Sequence, residues 1–157
     1  MPIVKDRGYN AFRRVMSRLA GLGGAGVRVG IQGPEASAPK EGGREDAPLS
    51  NVEVAATHEF GIGQPRRSFL ADTFDLQQPA LHLMAERVAE RVMLGKMPLR
   101  VGLEVLGHFM RNAIVDRIDA GIEPENADAT IQRKGSSKPL IDKGQLKASI
   151  THLVEGL

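Results

Sequence analysis

The sequence predicts an α+β fold in which a small antiparallel or mixed sheet packs against several helices, including one long helix. Two segments, residues 27–32 and 147–154, alternate between apolar and polar side chains, which is the two-residue period of a half-buried strand. Between them, apolar positions recur at helical spacing. We expect the two strands to pair with each other across this helical middle.

The chain has the length and composition of one domain without cross-links. Its 157 residues include no cysteine, which excludes disulfides, Cys-ligated metals and thiol catalysis. Lys and Arg number 21 against 19 Asp and Glu, so the net charge is no indication of a nucleic-acid binder. No apolar run approaches the ~18 residues of a membrane span, and the first residues lack a signal-peptide core. We therefore expect a cytosolic protein with no membrane partner.

The first part of the chain is predicted to hold two helices, separated by a strand and a loop. Residues 7–22 carry apolar side chains at helical spacing, and a glycine-rich stretch ends that helix. After the strand, residues 33–49 contain three prolines and almost no large apolar side chain, which predicts a long flexible loop or arm. Ser50 or Asn51 is predicted to cap the next helix, with Glu53 three residues after Ser50 as in a capping box, and Gly61 is expected to end it.

Proline and glycine divide the helices predicted for the second half. Residues 68–76 predict a helix, and Pro79 is expected to open the next one, because its missing amide costs nothing in a first turn. Gly95 and Pro98 end that helix, and Leu99–Ala120 is expected to be the longest helix, about 33 Å. The apolar stripe of the helix opened by Pro79 consists of Leu81, Met84, Ala85, Val88 and Val92. The buried line of the longest helix consists of Leu103, Leu106, Met110, Ile114 and Ile118.

No motif predicts a catalytic residue, a cofactor or a metal. Residues 21–26 match the glycine spacing of a dinucleotide-binding loop, but here the predicted helix precedes the strand instead of following it. His58 and Glu59 begin like a zinc-hydrolase motif, yet Ile62 occupies the place of the second histidine. A metal-dependent hydrolase is therefore the remotest alternative, and the pair is expected to satisfy a helix end or a subunit contact. The other histidines stand singly and are interpreted as core-edge or surface residues: His82, His108 and His152.

Two basic clusters keep a nucleic-acid alternative open. Arg13, Arg14 and Arg18 share one face of the first predicted helix, and Arg66 and Arg67 follow a proline turn. Forked guanidinium groups of this kind bind phosphates or carboxylates. A solvated face or a salt bridge between subunits is the favoured interpretation, since aromatic residues make up only 4% of the chain and offer little surface for stacking bases. The alternative function is a basic accessory protein that contacts DNA phosphates.

The most informative feature of the sequence is a resemblance to a known family. Residues 124–150 read PENADATIQRKGSSKPLIDKGQLKASI, and residues 55–70 contain AATHEFG followed by PRRSFL. With the strand motif VRVGIQG at residues 27–33, these segments resemble, in the same order, the signature of a bacteriophage neck and tail-completion family that includes the virion morphogenesis protein of Mu-like phages. The chain departs from that signature at Lys143, where the family usually has Thr, and at Ser68, where Pro is common.

The resemblance implies a non-enzymatic structural protein of a tailed-phage virion. Such a subunit joins the tail to the capsid, or completes the tail so that it can be joined, as part of a ring for which six-fold symmetry is expected. The implied partners are further copies of the chain and neighbouring neck, tail-terminator or tail-tube proteins, with DNA passing through the lumen. The implied location is the neck or tail of the virion, after assembly in the host cytoplasm.

The residues of the two motifs are the predicted subunit or partner contacts. A stiff turn between Pro139 and Gly144 presents two apolar side chains and a carboxylate, which either plug the chain's own core or contact another subunit. In the other motif the aromatic residues favour a core position, whereas the two arginines are expected to need carboxylates from a partner if they are buried. The complete set of predicted contacts is His58, Glu59, Phe60, Arg66, Arg67, Phe69, Pro139, Leu140, Ile141, Asp142 and Gln145.

Overall fold

The computed structural model confirms the α+β fold and describes residues 17, 23–39, 49–125, 132 and 144–157. Two strands form one antiparallel sheet, and the helices between them pack against it and against one another. In chain order the elements are β1 (Gly26–Ile31), α1 (Pro34–Ser37), α2 (Asn51–Phe60), α3 (Ala71–Met93), α4 (Leu99–Ala120), α5 (Gln145–Ala148) and β2 (Ile150–Glu155).

The predicted pairing of the two distant strands is confirmed. Gly26 lies opposite Glu155 and Ile31 lies opposite Ile150, so β1 and β2 match along their whole length. Ile150 is completely buried, and Leu153 on the other face is half exposed. The alternation in the sequence thus assigned the two faces of β2 correctly.

The terminal strand begins later than predicted, because residues 145–148 form a short helix. Gly144 has a left-handed conformation, with φ of 78°, and turns the chain into α5. Leu146 then enters the core, and the Ser149 hydroxyl donates a hydrogen bond of 2.7 Å to the Leu146 carbonyl. Burial of Leu146 from a helical turn outweighs the loose alternation that favoured a strand at Lys147 and Ala148.

The segment predicted as a flexible loop contains ordered structure in its first seven residues. Pro34 occupies the first turn of α1, where its missing amide costs nothing. The Asn51 side chain donates a hydrogen bond of 2.9 Å to the Glu35 carbonyl, and Pro39 forms an isolated bridge with Ser50. These bonds tie α1 to the start of α2, so low apolar content alone did not predict disorder there. Residues 40–48 lie outside the described part of the chain.

Helix α2 has the boundaries that its capping signals predicted. The Glu53 amide donates to the Ser50 hydroxyl at 3.3 Å, and the Ser50 amide donates to the Glu53 carboxylate at 2.8 Å. This is a complete capping box. The helix ends at Gly61, whose φ of 70° is left-handed.

The predicted break at Pro79 is wrong, because α3 runs through this proline as one helix of 23 residues. Proline removes the hydrogen bond that the Asp75 carbonyl would receive. Asp75 and Pro79 are both exposed, so water can bind that carbonyl. The predicted stripe is confirmed downstream, where Val88 and Val92 are buried, and α3 ends before Gly95 as expected. It is also longer by one residue than α4, which was expected to be the longest helix.

Helix α4 forms the centre of the fold, with the predicted bounds. Its buried side chains Met110, Ile114 and Ile118 follow the predicted line, and Leu103 and Leu106 are half-buried. Two buried glycines let neighbours approach closely, since a Cβ at Gly102 would lie 2.5 Å from Val88 of α3. The main core joins α2, α4, α5, β2 and the α2–α3 connection through Ala55, Phe69, Ile114, Ile118, Ile122, Leu146 and Ile150.

Apart from Ser17, the helix predicted at residues 7–22 lies outside the described residues, as does the turn predicted at residues 135–137.

Candidate functional site

The junction between α2 and α3, residues 58–72, carries the motif residues that the sequence singled out. It contains the end of α2, the turn at Gly61, the proline-arginine segment and the first turn of α3. Within it a buried network of hydrogen bonds positions a small exposed apolar surface. We call this region the α2–α3 junction.

Glu59 is the centre of that network. Its Oε1 accepts hydrogen bonds from the Ser68 hydroxyl at 2.6 Å and the Ala71 amide at 3.0 Å. Its Oε2 accepts from the amides of Phe69 at 2.9 Å and Leu70 at 3.0 Å. The carboxylate at the end of one helix therefore satisfies the free amides that begin the next.

The environment of Glu59 favours its charged form. Burial alone would raise the pKa of this carboxyl, but the hydrogen bonds from the Ser68 hydroxyl and from the Leu70, Ala71 and Phe69 amides together lower the pKa below its ordinary value. The residue is only 6% exposed. A buried carboxylate with four donors is a structural group, and its capacity for further ligands is largely used.

Arg67 ties the α2–α3 junction to the chain that follows α4. Its Nε donates to the Pro124 carbonyl at 2.6 Å, and its Nη2 donates to the Glu125 carbonyl at 3.0 Å. The residue is 5% exposed. The expectation that a buried Arg67 needs a partner's carboxylates is wrong, because backbone oxygens of its own chain accept its hydrogen bonds.

Arg66 remains at the surface and forms ion pairs within the chain. Its Nη2 lies 3.1 Å from an oxygen of Asp72, and the other oxygen of Asp72 lies 3.6 Å from Nη2 of Arg117. Its Nε also donates to the Glu59 carbonyl at 3.2 Å. The structure thus separates the two adjacent arginines, with one buried and one half exposed.

Two large apolar side chains stand exposed on the surface of the α2–α3 junction. Phe60 is 71% exposed and Ile62 is 60% exposed, on either side of the turn at Gly61. A Cβ at Gly61 would lie 3.0 Å from the Arg66 amide, so the turn is packed as closely as only glycine permits. We call Phe60 and Ile62 the apolar knob. The expectation that Phe60 is a core residue is therefore wrong.

The other predicted contact residues divide between the interior and the undescribed part of the chain. Phe69 is completely buried in the core, as its aromatic character predicted, and His58 is buried beside the Arg67 amide that binds its carbonyl. Gln145 begins α5 and is half-buried. Pro139, Leu140, Ile141 and Asp142 lie outside the described residues, as do Arg13, Arg14 and Arg18 of the first basic cluster.

A second cluster of polar side chains was not predicted from the sequence. Glu104 and His108 stand one turn apart on α4, and His152 reaches them from β2. Nε2 of His152 lies 2.6 Å from Oε2 of Glu104, and the rings of His108 and His152 meet edge to face with centroids 4.3 Å apart. The four-residue spacing of Glu104 and His108 was visible in the sequence, but nothing local placed His152 beside them.

Comparison with known proteins gives no match for this chain among protein-family models, curated proteins or solved structures. Within the described residues, the helices are all too short or too polar to cross a lipid bilayer.

Proposed function

We propose that this chain is a structural protein of a tailed-bacteriophage virion, a neck or tail-completion subunit that forms a ring joining tail to capsid during assembly. The proposal rests on the family resemblance of the two sequence motifs and on the surface that the motif at residues 55–70 builds. In that ring the chain contacts copies of itself and the adjoining neck or tail proteins, and it transforms no substrate.

The observation that carries the proposal is the apolar knob on the α2–α3 junction. Phe60 and Ile62 are large apolar side chains held in water by a turn whose neighbouring groups are fixed by buried hydrogen bonds. Burying such a side chain contributes about 1.5–3 kcal/mol. A knob that is already ordered loses little conformational freedom on binding, so it suits repeated contact between rigid subunits.

The ring proposal also accounts for charged motif residues that form their hydrogen bonds within the chain. Glu59 and Arg67 use their hydrogen-bonding capacity inside the chain, so their role in this proposal is to position the apolar knob and not to touch the partner. Each subunit of a cyclic ring uses one patch to contact its neighbour's different patch, and the same contact repeats until the ring closes. The exposed ion pair of Arg66 and Asp72 places charged groups beside the turn at Gly61, where the rim of such an interface would lie.

The first test measures the mass of the full chain in solution. Light scattering of the purified protein, alone and mixed with isolated phage tails, is expected to give a closed oligomer or tail particles of increased mass. The double substitution Phe60→Ser and Ile62→Ser should reduce this assembly while leaving the melting temperature nearly unchanged. A strict monomer that leaves tails unaltered would contradict the proposal.

The matched control is Leu94→Ser. Leu94 is 56% exposed, close to Ile62, but it follows the far end of α3. A helix of 23 residues is about 35 Å long, which places this residue well away from the apolar knob. Equal loss of assembly from the control and the knob variant would show that surface hydrophobicity in general, and not the knob, drives association.

The second test follows the variants during infection of the host. A phage carrying the double substitution in the knob should accumulate separate heads and tails, because both are made but not joined. The same phenotype is expected for Leu140→Ser or Asp142→Asn in the motif at residues 124–150. Normal plaque formation by all of these variants would argue strongly against a joining role.

A further inference from the structure

We propose that Glu104, His108 and His152 form a binding site for a divalent transition-metal ion, with Zn²⁺ as the ion that the ligands fit best. The site is separate from the α2–α3 junction and does not depend on the ring proposal. It joins α4 to β2, which are already packed against each other.

The three side chains converge because of helical spacing and strand packing together. Residues four apart on a helix lie on one face, which places the carboxylate of Glu104 beside the imidazole of His108. His152 is on the inward face of β2 and is 13% exposed at its side chain. One ligand atom from each of the three residues lies within 4.8 Å of the others.

Gly107 fixes His152 against the helix. A Cβ at this position would lie 2.5 Å from Cδ2 of His152 and 2.8 Å from Cγ2 of Val27. The imidazole therefore occupies the space that any larger residue would fill. A ligand whose ring is held by packing needs little reorganisation when a metal binds.

The donor set is that of a zinc site with three protein ligands. Two imidazole nitrogens and one carboxylate oxygen bind Zn²⁺ at about 2.0–2.2 Å, and a water molecule takes the fourth position. Nε2 of His152 and Oε2 of Glu104 lie 2.6 Å apart in a hydrogen bond, whereas two donors on one tetrahedral ion lie roughly 3.3 Å apart. The ion therefore replaces this hydrogen bond, and the two atoms move apart by several tenths of an ångström. Glu104 and His108, whose side chains are less buried than that of His152, supply this adjustment, and a side-chain rotation of the exposed His108 brings its nitrogen to the ion. The same exposure leaves the fourth position open to water.

Helix α3 supplies a natural control. His82 and Glu86 are also four residues apart, with Nε2 and Oε1 separated by 3.3 Å, and both side chains are exposed. Among the described residues, no third His, Asp or Glu joins this pair at ligand distance. Two exposed donors bind a metal ion much more weakly than three converging ones. We therefore expect the His82–Glu86 pair to bind Zn²⁺ only weakly, as an ordinary surface histidine does.

The test titrates Zn²⁺ into the full chain, purified without a histidine tag and stripped with a chelator. Calorimetry is expected to give one ion per chain. His108→Gln should weaken binding by at least about tenfold, since even residues behind the direct ligands contribute that much. His82→Gln should bind like the unchanged protein. Both positions are exposed, so neither substitution is expected to prevent folding.

A structural readout identifies the ligands independently. On addition of one equivalent of Zn²⁺, the ring resonances of His108 and His152 should shift in NMR spectra, while those of His58 and His82 stay in place. Equal affinity of His108→Gln and the unchanged protein would overturn the proposal. The proposal would also be overturned if the ring resonances of His82 shifted most, or if His82→Gln weakened Zn²⁺ binding as much as His108→Gln.

Discussion

Two glutamates in the same chain show how surroundings decide what a carboxylate does. Glu59 is buried and accepts four hydrogen bonds from a hydroxyl and three amides of the α2–α3 junction. Glu104 is 41% exposed at its side chain and has His152 as its close polar partner, with His108 nearby. The first carboxylate is saturated by donors of its own fold, whereas the second has oxygen lone pairs available for a ligand.

The comparison separates a carboxylate that holds the fold together from one that is available to bind a ligand. Removing a saturated carboxylate leaves several buried donors without acceptors, which costs folding free energy. Removing a partly exposed carboxylate costs little stability, because water replaces it. Stability measurements should therefore rank the two positions far apart.

The largest expected effect is that of Glu59→Ala. The substitution leaves the Ser68 hydroxyl and three amides at the start of α3 without their acceptor, so we expect a loss of about 3 kcal/mol or more in the free energy of unfolding. Urea denaturation followed by circular dichroism measures it. Glu53→Ala on the same helix is the matched control, since it removes only the exposed carboxylate of a capping box and should cost much less than the loss at Glu59. Equal losses at the two positions would contradict the structural role of Glu59.

Arg67→Met should have the next largest effect. Methionine keeps much of the apolar stem but donates no hydrogen bond to the Pro124 and Glu125 carbonyls, and we expect a loss of about 2 kcal/mol. The control is Arg66→Met, which removes an exposed ion pair with Asp72 and should cost at most about 1 kcal/mol. A larger loss of stability for Arg66→Met than for Arg67→Met would contradict the proposal that Arg67 fixes the α2–α3 junction to the chain after α4.

Protonation of Glu59 at low pH should lower the free energy of unfolding by less than the substitution Glu59→Ala does. Because the folded pKa lies below the ordinary value of 4.5, the unfolded chain takes up the proton first as the pH falls. The stabilisation from Glu59 is complete above the ordinary pKa of the unfolded chain, and it is lost as the pH falls through the lower pKa of the folded state. Denaturation curves between about pH 7 and pH 3 should show a shallower decline for Glu59→Gln than for the unchanged chain. Parallel declines would mean that Glu59 does not titrate differently in the folded state.

Glu104→Gln should change stability least. Glutamine retains a hydrogen-bonding group for His152, so we expect a loss below about 1 kcal/mol in the absence of metal. The same substitution should remove the rise in melting temperature that excess Zn²⁺ gives to the unchanged chain. Differential scanning fluorimetry with and without Zn²⁺ makes both measurements. A stability loss comparable to that of Glu59→Ala would place Glu104 with the structural carboxylates.

The sequence predicted those features of the fold that depend on neighbouring residues. The capping box of Ser50 and Glu53, the stop at Gly61 and the bounds of α4 all follow from side chains within a few positions of one another. The strand pairing was also predicted, since only two segments alternated. Pro79 was misjudged because proline preference describes a first turn, whereas solvent at an exposed turn of α3 compensates for the lost hydrogen bond.

The candidate sites depend on contacts between elements, which the sequence predicts only in part. The position of Glu59 indicates a helix-end residue, but its role as an acceptor depends on a turn that folds back over ten positions to the amide of Phe69. His152 stands alone in the sequence, because its neighbours on α4 come close only after β2 packs there. The space left by Gly107 is likewise visible only once the sheet is in place.

The pairing of β1 with β2 has a consequence for the order of folding events. Arg28 and Glu155 form a cross-strand ion pair of 3.0 Å between residues 127 positions apart. Contacts of such long range form slowly, because the chain loses the entropy of closing a large loop before the strand contacts stabilise it. The connection between α3 and α4, in contrast, is short. We therefore expect the helical hairpin to form early and the sheet to close late, which makes the joining of the two strands the step that completes the core around Ile150.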